Sequence, residues 1–128
     1  MKERDLALLE AYKGIKPRSH LMTIEAFFKA FSDWEVIPVT IRKRIVGAIL
    51  VKNEEIHVSV NQESRGLWIR KSSFNILKRI LKEYGTIKTK ALKSCEPCHY
   101  FIERLGFKQT FEDNQFFYYE KTEVLNVK

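Results

Sequence analysis

The spacing of hydrophobic residues predicts that the chain begins with two helices. Leu6, Leu9 and Tyr12 recur at helical spacing, and residues 13–17 interrupt the pattern. The helical period then resumes at Leu21, Ile24, Phe28 and Phe31. Ser19, which precedes these residues, is a candidate N-terminal cap. We therefore expect a helical hairpin at the start of the chain.

From Trp34 the period falls toward two, which is typical of strands. Residues 36–41 and 45–51 are rich in β-branched side chains and flank a charged turn at residues 42–44. A second turn at Asn53 and Glu54 leads into Glu55–Val60. These segments predict three antiparallel strands.

The second half of the chain alternates helices with strands. Residues 72–84 predict a helix that ends at Gly85 and whose apolar stripe is Phe74, Leu77, Leu81 and Tyr84. A strand at 86–92, a short helix from Ser94 and Pro97 to Gly106, and a hairpin of 107–111 with 116–120 around Asp113 and Asn114 follow. The predicted order is ααβββαβαββ, an α+β fold.

Composition limits what such a chain can be. A length of 128 residues suits one domain spanning 1–128, and 45% hydrophobic with 30% charged residues excludes disordered and low-complexity classes. Its apolar runs are too short for a spanning helix, and its first residues do not resemble a signal peptide. We therefore expect a cytoplasmic protein without a membrane partner.

The net charge of +7 is concentrated in one part of the sequence. Nine basic residues and a single acid lie between Arg65 and Lys93, and the rest of the chain is close to neutral. This window is where we expect an anionic partner to bind.

Cys95, Cys98 and His99 match the C-x-x-C-H motif that attaches haem. Haem attachment takes place outside the cytoplasm, and a zinc site lacks a fourth ligand because His20 and His57 are remote in sequence. A disulfide is not expected to persist in a reducing compartment. We predict two half-buried thiols at the start of a helix, with no haem and no metal.

One predicted strand carries a polar face. In Glu55–Val60 the period of two places Glu55, His57 and Ser59 on one face and the apolar residues on the other. This face is a candidate for acid–base chemistry, and the alternative is a solvent-facing strand edge. Ser59 lies in no Gly-x-Ser-x-Gly elbow, which argues against a serine hydrolase.

Two segments carry a family resemblance: SRGLWIR at 64–70 and YFIERLGF at 100–107. Together with the order of elements, they resemble the GNAT superfamily of acetyl-CoA-dependent N-acyltransferases over residues 36–119, and small phage-encoded members most of all. The resemblance implies a mixed, mainly antiparallel sheet flanked by helices. It also implies transfer of an acetyl group from acetyl-CoA to an amine acceptor, whose identity the sequence does not give.

The resemblance assigns roles to particular residues. Backbone N–H groups at a helix N-terminus bind phosphate well, and the implied pyrophosphate loop consists of Arg65, Gly66, Leu67, Trp68, Ile69, Arg70 and Lys71. Backbone N–H groups of Val58 and Val60 are expected to polarise the thioester. Glu55 matches the general base, because the ammonium form of an amine must lose a proton before it attacks, and His57 is a second candidate.

The sequence also departs from the family pattern. Trp68 and Arg70 occupy loop positions that are normally small, and Ile102 stands where many members have a general-acid tyrosine. Tyr118 and Tyr119 are the alternative acids. These departures leave a second hypothesis open: a non-catalytic phage or virion protein of this fold that contacts nucleic acid or a host protein.

Overall fold

The computed structural model describes residues 2–15, 22–61 and 71–122. The helices and strands in these ranges are α1 (Glu3–Ile15), α2 (Ile24–Ala30), β1 (Glu35–Ile41), β2 (Arg44–Lys52), β3 (Glu55–Val60), α3 (Lys71–Tyr84), β4 (Ile87–Leu92), α4 (Glu96–Arg104), β5 (Lys108–Glu112) and β6 (Phe116–Lys121). This order confirms the predicted ααβββαβαββ pattern.

The strands form a six-stranded sheet in the order β1-β2-β3-β4-β6-β5. The pairs β1–β2, β4–β6 and β5–β6 are antiparallel, whereas β3 and β4 run parallel with Glu55 opposite Lys88. The predicted fold class, a mixed and mainly antiparallel sheet with flanking helices, is confirmed. Because β3 lies between β2 and β4, it is not an edge strand, and the alternative of a solvent-facing strand edge is wrong in that respect.

The chain divides into two compact units, Met1–Lys52 with His57–Arg70 and Asn53–Ile56 with Lys71–Lys128. In the first unit, apolar residues of α1, α2 and β2 form a core. Its buried members are Ala7, Leu8, Ala11, Phe27, Ala48 and Leu50. The hairpin of β1 and β2 turns at Arg42 and Lys43, both of which have positive φ, as two-residue hairpin turns require.

The second unit contains α3, β4, α4, β5 and β6. Leu77, Ile80 and Leu81 of α3 are buried, and Tyr119 of β6 is 1% exposed. Gly85 and Gly106 follow α3 and α4 with φ of +77° and +90°, which confirms both as helix stops.

Three local predictions were wrong. The N-cap of α2 is Thr23, not Ser19, which lies outside the described residues. The apolar stripe of α3 includes Ile80, whereas Tyr84 is 43% exposed. Helix α1 continues through Gly14 to Ile15, beyond the predicted break at residue 13.

Among the described residues, no helix is long and apolar enough to cross a membrane. The organisation of residues 1–128 as a single domain stays a prediction.

Candidate functional site

Glu55, the predicted base, is the first residue of β3. It is half-buried and lies opposite Lys88 of β4, and the Lys88 amide donates to the Glu54 carbonyl at 2.8 Å. The Lys88 ammonium is 3.7 Å from a carboxylate oxygen of Glu120. The predicted base therefore stands on a paired strand, in a neighbourhood that contains a cation and a second carboxylate.

His57 has different neighbours from Glu55. Its ring centroid lies 5.4 Å from that of Trp34 and 6.4 Å from that of Phe31, and the side chain is half-buried. The polar face predicted for β3 is therefore not uniformly wet, because at His57 it packs against aromatic rings.

The far end of β3 packs against α1. The Ser59 hydroxyl donates to the Ala11 carbonyl at 2.6 Å, which occupies the group that a serine hydrolase would need as its nucleophile. Val60 is buried, and Val58 is half-buried. Side chains at this end of the strand serve packing, so any contribution of Val58 and Val60 to chemistry comes from their backbone.

A polar cluster follows β3 at Asn61. Its side-chain amide donates to Glu10 at 3.0 Å, and the Lys13 ammonium is 2.6 Å from the same carboxylate group. Burial raises the pKa of Glu10, but the hydrogen bonds from Lys13 and Asn61 outweigh it and hold the pKa below its ordinary value of 4.5. Glu10 is therefore an ionised carboxylate at neutral pH, held by two neighbours.

Tyr118 donates its hydroxyl proton to Asp113 at 2.7 Å. This hydrogen bond, ahead of burial and of the Glu55 carboxylate, raises the pKa of Tyr118, and the same bond lowers the pKa of Asp113. The tyrosine is protonated at neutral pH, as a general acid must be. The sequence indicated Asp113 as a turn residue and as an acid that could attract a cationic amine, but its pairing with Tyr118 was missed.

Tyr119 is paired with His99, with its hydroxyl oxygen 2.8 Å from Nδ1 of the imidazole. Burial raises the pKa of Tyr119, followed by the nearby Glu103. The other imidazole nitrogen lies 3.3 Å from the Lys93 carbonyl oxygen, and the ring packs edge-on against Phe117. Tyr119 is thus a buried structural residue. The contacts of His99 with Tyr119, Lys93 and Phe117 are also those of a structural residue.

The two cysteines were predicted as free thiols, and this prediction was wrong. Cys95 and Cys98 form a disulfide. The bridge occupies both sulfurs that the haem and zinc alternatives require. Among the described residues, no group of three or more His, Cys, Asp or Glu side chains is placed to hold a metal ion.

The implied pyrophosphate loop lies mostly outside the described residues, since Arg65, Gly66, Leu67, Trp68, Ile69 and Arg70 fall within residues 62–70. Lys71 is the first residue of α3. The role of this loop stays a prediction.

The sequence matches no protein-family model and no curated protein. Among solved structures, the chain is similar to the PaiA N-acetyltransferase from Thermoplasma acidophilum in complex with coenzyme A, with 16% identity, 96% of each chain covered and a TM-score of 0.69. It is also similar to an acetyltransferase from Thermus thermophilus, with 12% identity, 94% of this chain and 92% of the other covered and a TM-score of 0.71.

A GNAT family acetyltransferase from Bacillus anthracis gives 15% identity, 95% and 91% coverage and a TM-score of 0.69. Similarity at this level of identity shows the fold, and the chain has the GNAT fold over nearly its whole length.

Proposed function

We propose that the protein is an N-acyltransferase that moves an acetyl group from acetyl-CoA to an amine. The observation that carries the proposal is the likeness to GNAT acetyltransferases, which covers more than 90% of this chain and of the others, one of them in complex with coenzyme A. One fold can serve many functions, so acetyl transfer also requires residues that can bind acetyl-CoA and act as base and acid.

Glu55 is the base in this proposal. A carboxylate takes up the proton that the acceptor ammonium loses, directly or through a water molecule. The Glu55 side chain is half-buried at the start of a strand whose backbone is paired, so its position is defined. His57 is the second candidate, and it ranks lower because its ring packs against Trp34 and Phe31.

Binding of acetyl-CoA is assigned to the loop from Arg65 to Lys71 and to backbone N–H groups of β3. The Asn61 amide donates to the Val46 carbonyl of β2 at 2.8 Å. Because successive residues of a strand direct their N–H groups to opposite sides, we expect the amides of Val58 and Val60 to point away from β2. Such donors suit a thioester oxygen, and acetyl-CoA supplies the thioester.

Tyr118 is the proposed acid for the departing thiolate. Its hydroxyl carries a proton at neutral pH, and the Glu55 carboxylate contributes to the rise of its pKa, so the two side chains interact electrostatically. The hydrogen bond to Asp113 makes Tyr118 a weaker acid than a tyrosine in water, and we expect a modest contribution from it.

A second function is favoured by specific observations. Ile102 stands at the usual acid position, and the Tyr118 and Tyr119 hydroxyls both interact with neighbouring side chains. In this second function, a protein of the same fold has lost its working acetyl-CoA site and binds another macromolecule. It would be a phage or virion component that contacts nucleic acid or a host protein. A cytoplasmic location stays a prediction under both proposals.

The decisive experiment combines binding with turnover. Acetyl-CoA is titrated into the protein by calorimetry, and a panel of primary amines is screened by mass spectrometry for acetylated products. Under the enzyme proposal we expect saturable heat and at least one acetylated amine.

Glu55→Gln tests the base, and Glu54→Gln is the matched control one residue away. We expect Glu55→Gln to lower kcat/KM by about 100-fold near pH 7, with partial recovery at higher pH, where more of the amine is already deprotonated. Glu54→Gln should stay within about twofold, and both should bind acetyl-CoA as the parent does. No heat with acetyl-CoA would overturn the proposed function, whereas an unaffected Glu55→Gln would overturn only the role of Glu55.

A further inference from the structure

The disulfide between Cys95 and Cys98 has no part in the acyl transfer proposed above. It contains both cysteines of the chain and joins the N-cap of α4 to the first turn of that helix. The two ends of the bridge are unequally accessible, since Cys95 is 2% exposed and Cys98 is only half-buried. We propose that this bridge is a thiol–disulfide exchange site at which the thiolate of a low-molecular-weight thiol attacks Cys98.

The position of the bridge favours thiolate chemistry. The amides of Cys98 and His99 donate to the Cys95 carbonyl at 3.1 and 3.3 Å. Both cysteines therefore belong to the hydrogen-bonded start of α4. The N-terminus of a helix carries partial positive charge, which stabilises a nearby thiolate and lowers the pKa of its thiol. A sulfur that is stabilised as a thiolate is also a good leaving group in exchange.

The surroundings allow the bridge to open while the helix stays in place. The imidazole of His99, next to Cys98, lies 2.8 Å from the Tyr119 hydroxyl and 3.3 Å from the Lys93 carbonyl oxygen. The Cys95 amide donates to the Leu92 carbonyl at 3.0 Å. These contacts hold both ends of the Cys95–Cys98 segment without help from the sulfur–sulfur bond.

The exchange is balanced in two steps. In the first, the attacking thiolate forms a bond to the Cys98 sulfur, the Cys95–Cys98 bond breaks, and its electron pair leaves on Cys95 as a thiolate. In the second, another thiolate attacks the sulfur of the bound small thiol, which gives a small-molecule disulfide and a Cys98 thiolate. The protein disulfide is reduced, two small thiols are oxidised, and the cysteine thiolates take protons from water. In the reverse direction, Cys95 displaces the small thiol and restores the bridge.

Two single-cysteine variants, Cys95→Ser and Cys98→Ser, test which sulfur reacts. Each is incubated with oxidised glutathione under native conditions, and the glutathione adduct is followed by intact mass. We expect Cys95→Ser, which keeps Cys98, to form the adduct at least about tenfold faster than Cys98→Ser, whose remaining sulfur is buried. Circular dichroism checks that both variants are folded, and equal rates or a faster Cys98→Ser would overturn the proposal.

A measurement on the unmodified protein guards against variants that do not fold. The parent chain is equilibrated in glutathione redox buffers, the free thiols are trapped by alkylation, and the reduced protein is melted. We expect reversible reduction in the native state and a cooperative transition with a Tm lower by about 5–10 °C, because a bridge that closes such a short loop stabilises modestly. A bridge that is reduced only in denaturant would overturn the proposal.

Discussion

At the scale of single residues, small side chains determine how closely α1 lies on β3. Ala7, Ala11 and Gly14 are buried and fall at the spacing that lines one face of a helix. This face lets the Ala11 carbonyl accept the Ser59 hydroxyl and brings Gly14 against the backbone of Val60. The close approach holds the strand that carries His57, Val58 and Val60.

Gly14→Ala should therefore destabilise the protein, although alanine usually favours a helix over glycine. A Cβ at this position would overlap the Val60 carbonyl oxygen and lie 2.7 Å from Oγ of Ser59. Since a backbone carbonyl cannot move aside cheaply, we expect a loss of about 2 kcal/mol in the free energy of unfolding, measured by denaturant titration.

Gly85→Ala is the matched control for Gly14→Ala. A Cβ on Gly85 would meet no atom within 4 Å, so only its φ of +77° opposes the change. We expect a loss of about 1 kcal/mol there. A Gly14→Ala protein as stable as the parent would contradict the packing argument.

At the scale of elements, α2 is too short to be stable alone. It has seven residues, so it depends on the burial of Phe27 in the core and on its N-cap, Thr23. The Thr23 hydroxyl accepts a hydrogen bond from the Ala26 amide at 3.1 Å. The helix contributes to a core that also includes Phe31 and Trp34, the two aromatic neighbours of His57.

Thr23→Ala removes the capping oxygen and should lower the free energy of unfolding by about 1 kcal/mol. Thr23→Ser keeps the oxygen and should restore most of that stability. Chemical denaturation of the three proteins gives the comparison, and an alanine variant equal to the serine variant would show that the cap does not stabilise α2.

At the scale of the whole molecule, several basic residues between Arg65 and Lys93 are already paired with groups of the protein itself. The Lys93 ammonium is 2.8 Å from Glu112, the Lys88 ammonium is 3.7 Å from Glu120, and Lys90 lies over the Phe116 ring at 4.6 Å. These three lysines of the basic window already have protein partners. The count of nine basic residues between Arg65 and Lys93 therefore overstates how many cations are available to a polyanion.

This charge distribution predicts weak binding to nucleic acid. We expect a generic DNA duplex not to be retarded in a gel at about 150 mM salt, since non-specific affinity falls steeply with salt. Acetyl-CoA should still bind under those conditions. Retardation that persists at this salt, together with no heat from acetyl-CoA, would favour the non-catalytic alternative.

Over the residues that the structure describes, the sequence determined the order of the ten helices and strands because hydrophobic periodicity, glycine stops and turn residues are local signals. It also identified the strand that carries Glu55. The similarity of SRGLWIR and YFIERLGF to known segments led to the fold that the solved structures confirm.

The partners of each side chain were decided only by the tertiary structure. The period of two places Glu55 and His57 on the same face of β3. In the structure, however, His57 packs on aromatic rings, whereas Glu55 lies opposite Lys88. The bridge of Cys95 to Cys98 had been rejected because a reducing compartment was expected, and the pairing of Tyr118 with Asp113 was not visible in the sequence. Periodicity specifies which face a residue occupies, but the element that covers that face depends on contacts between segments that are distant in the chain.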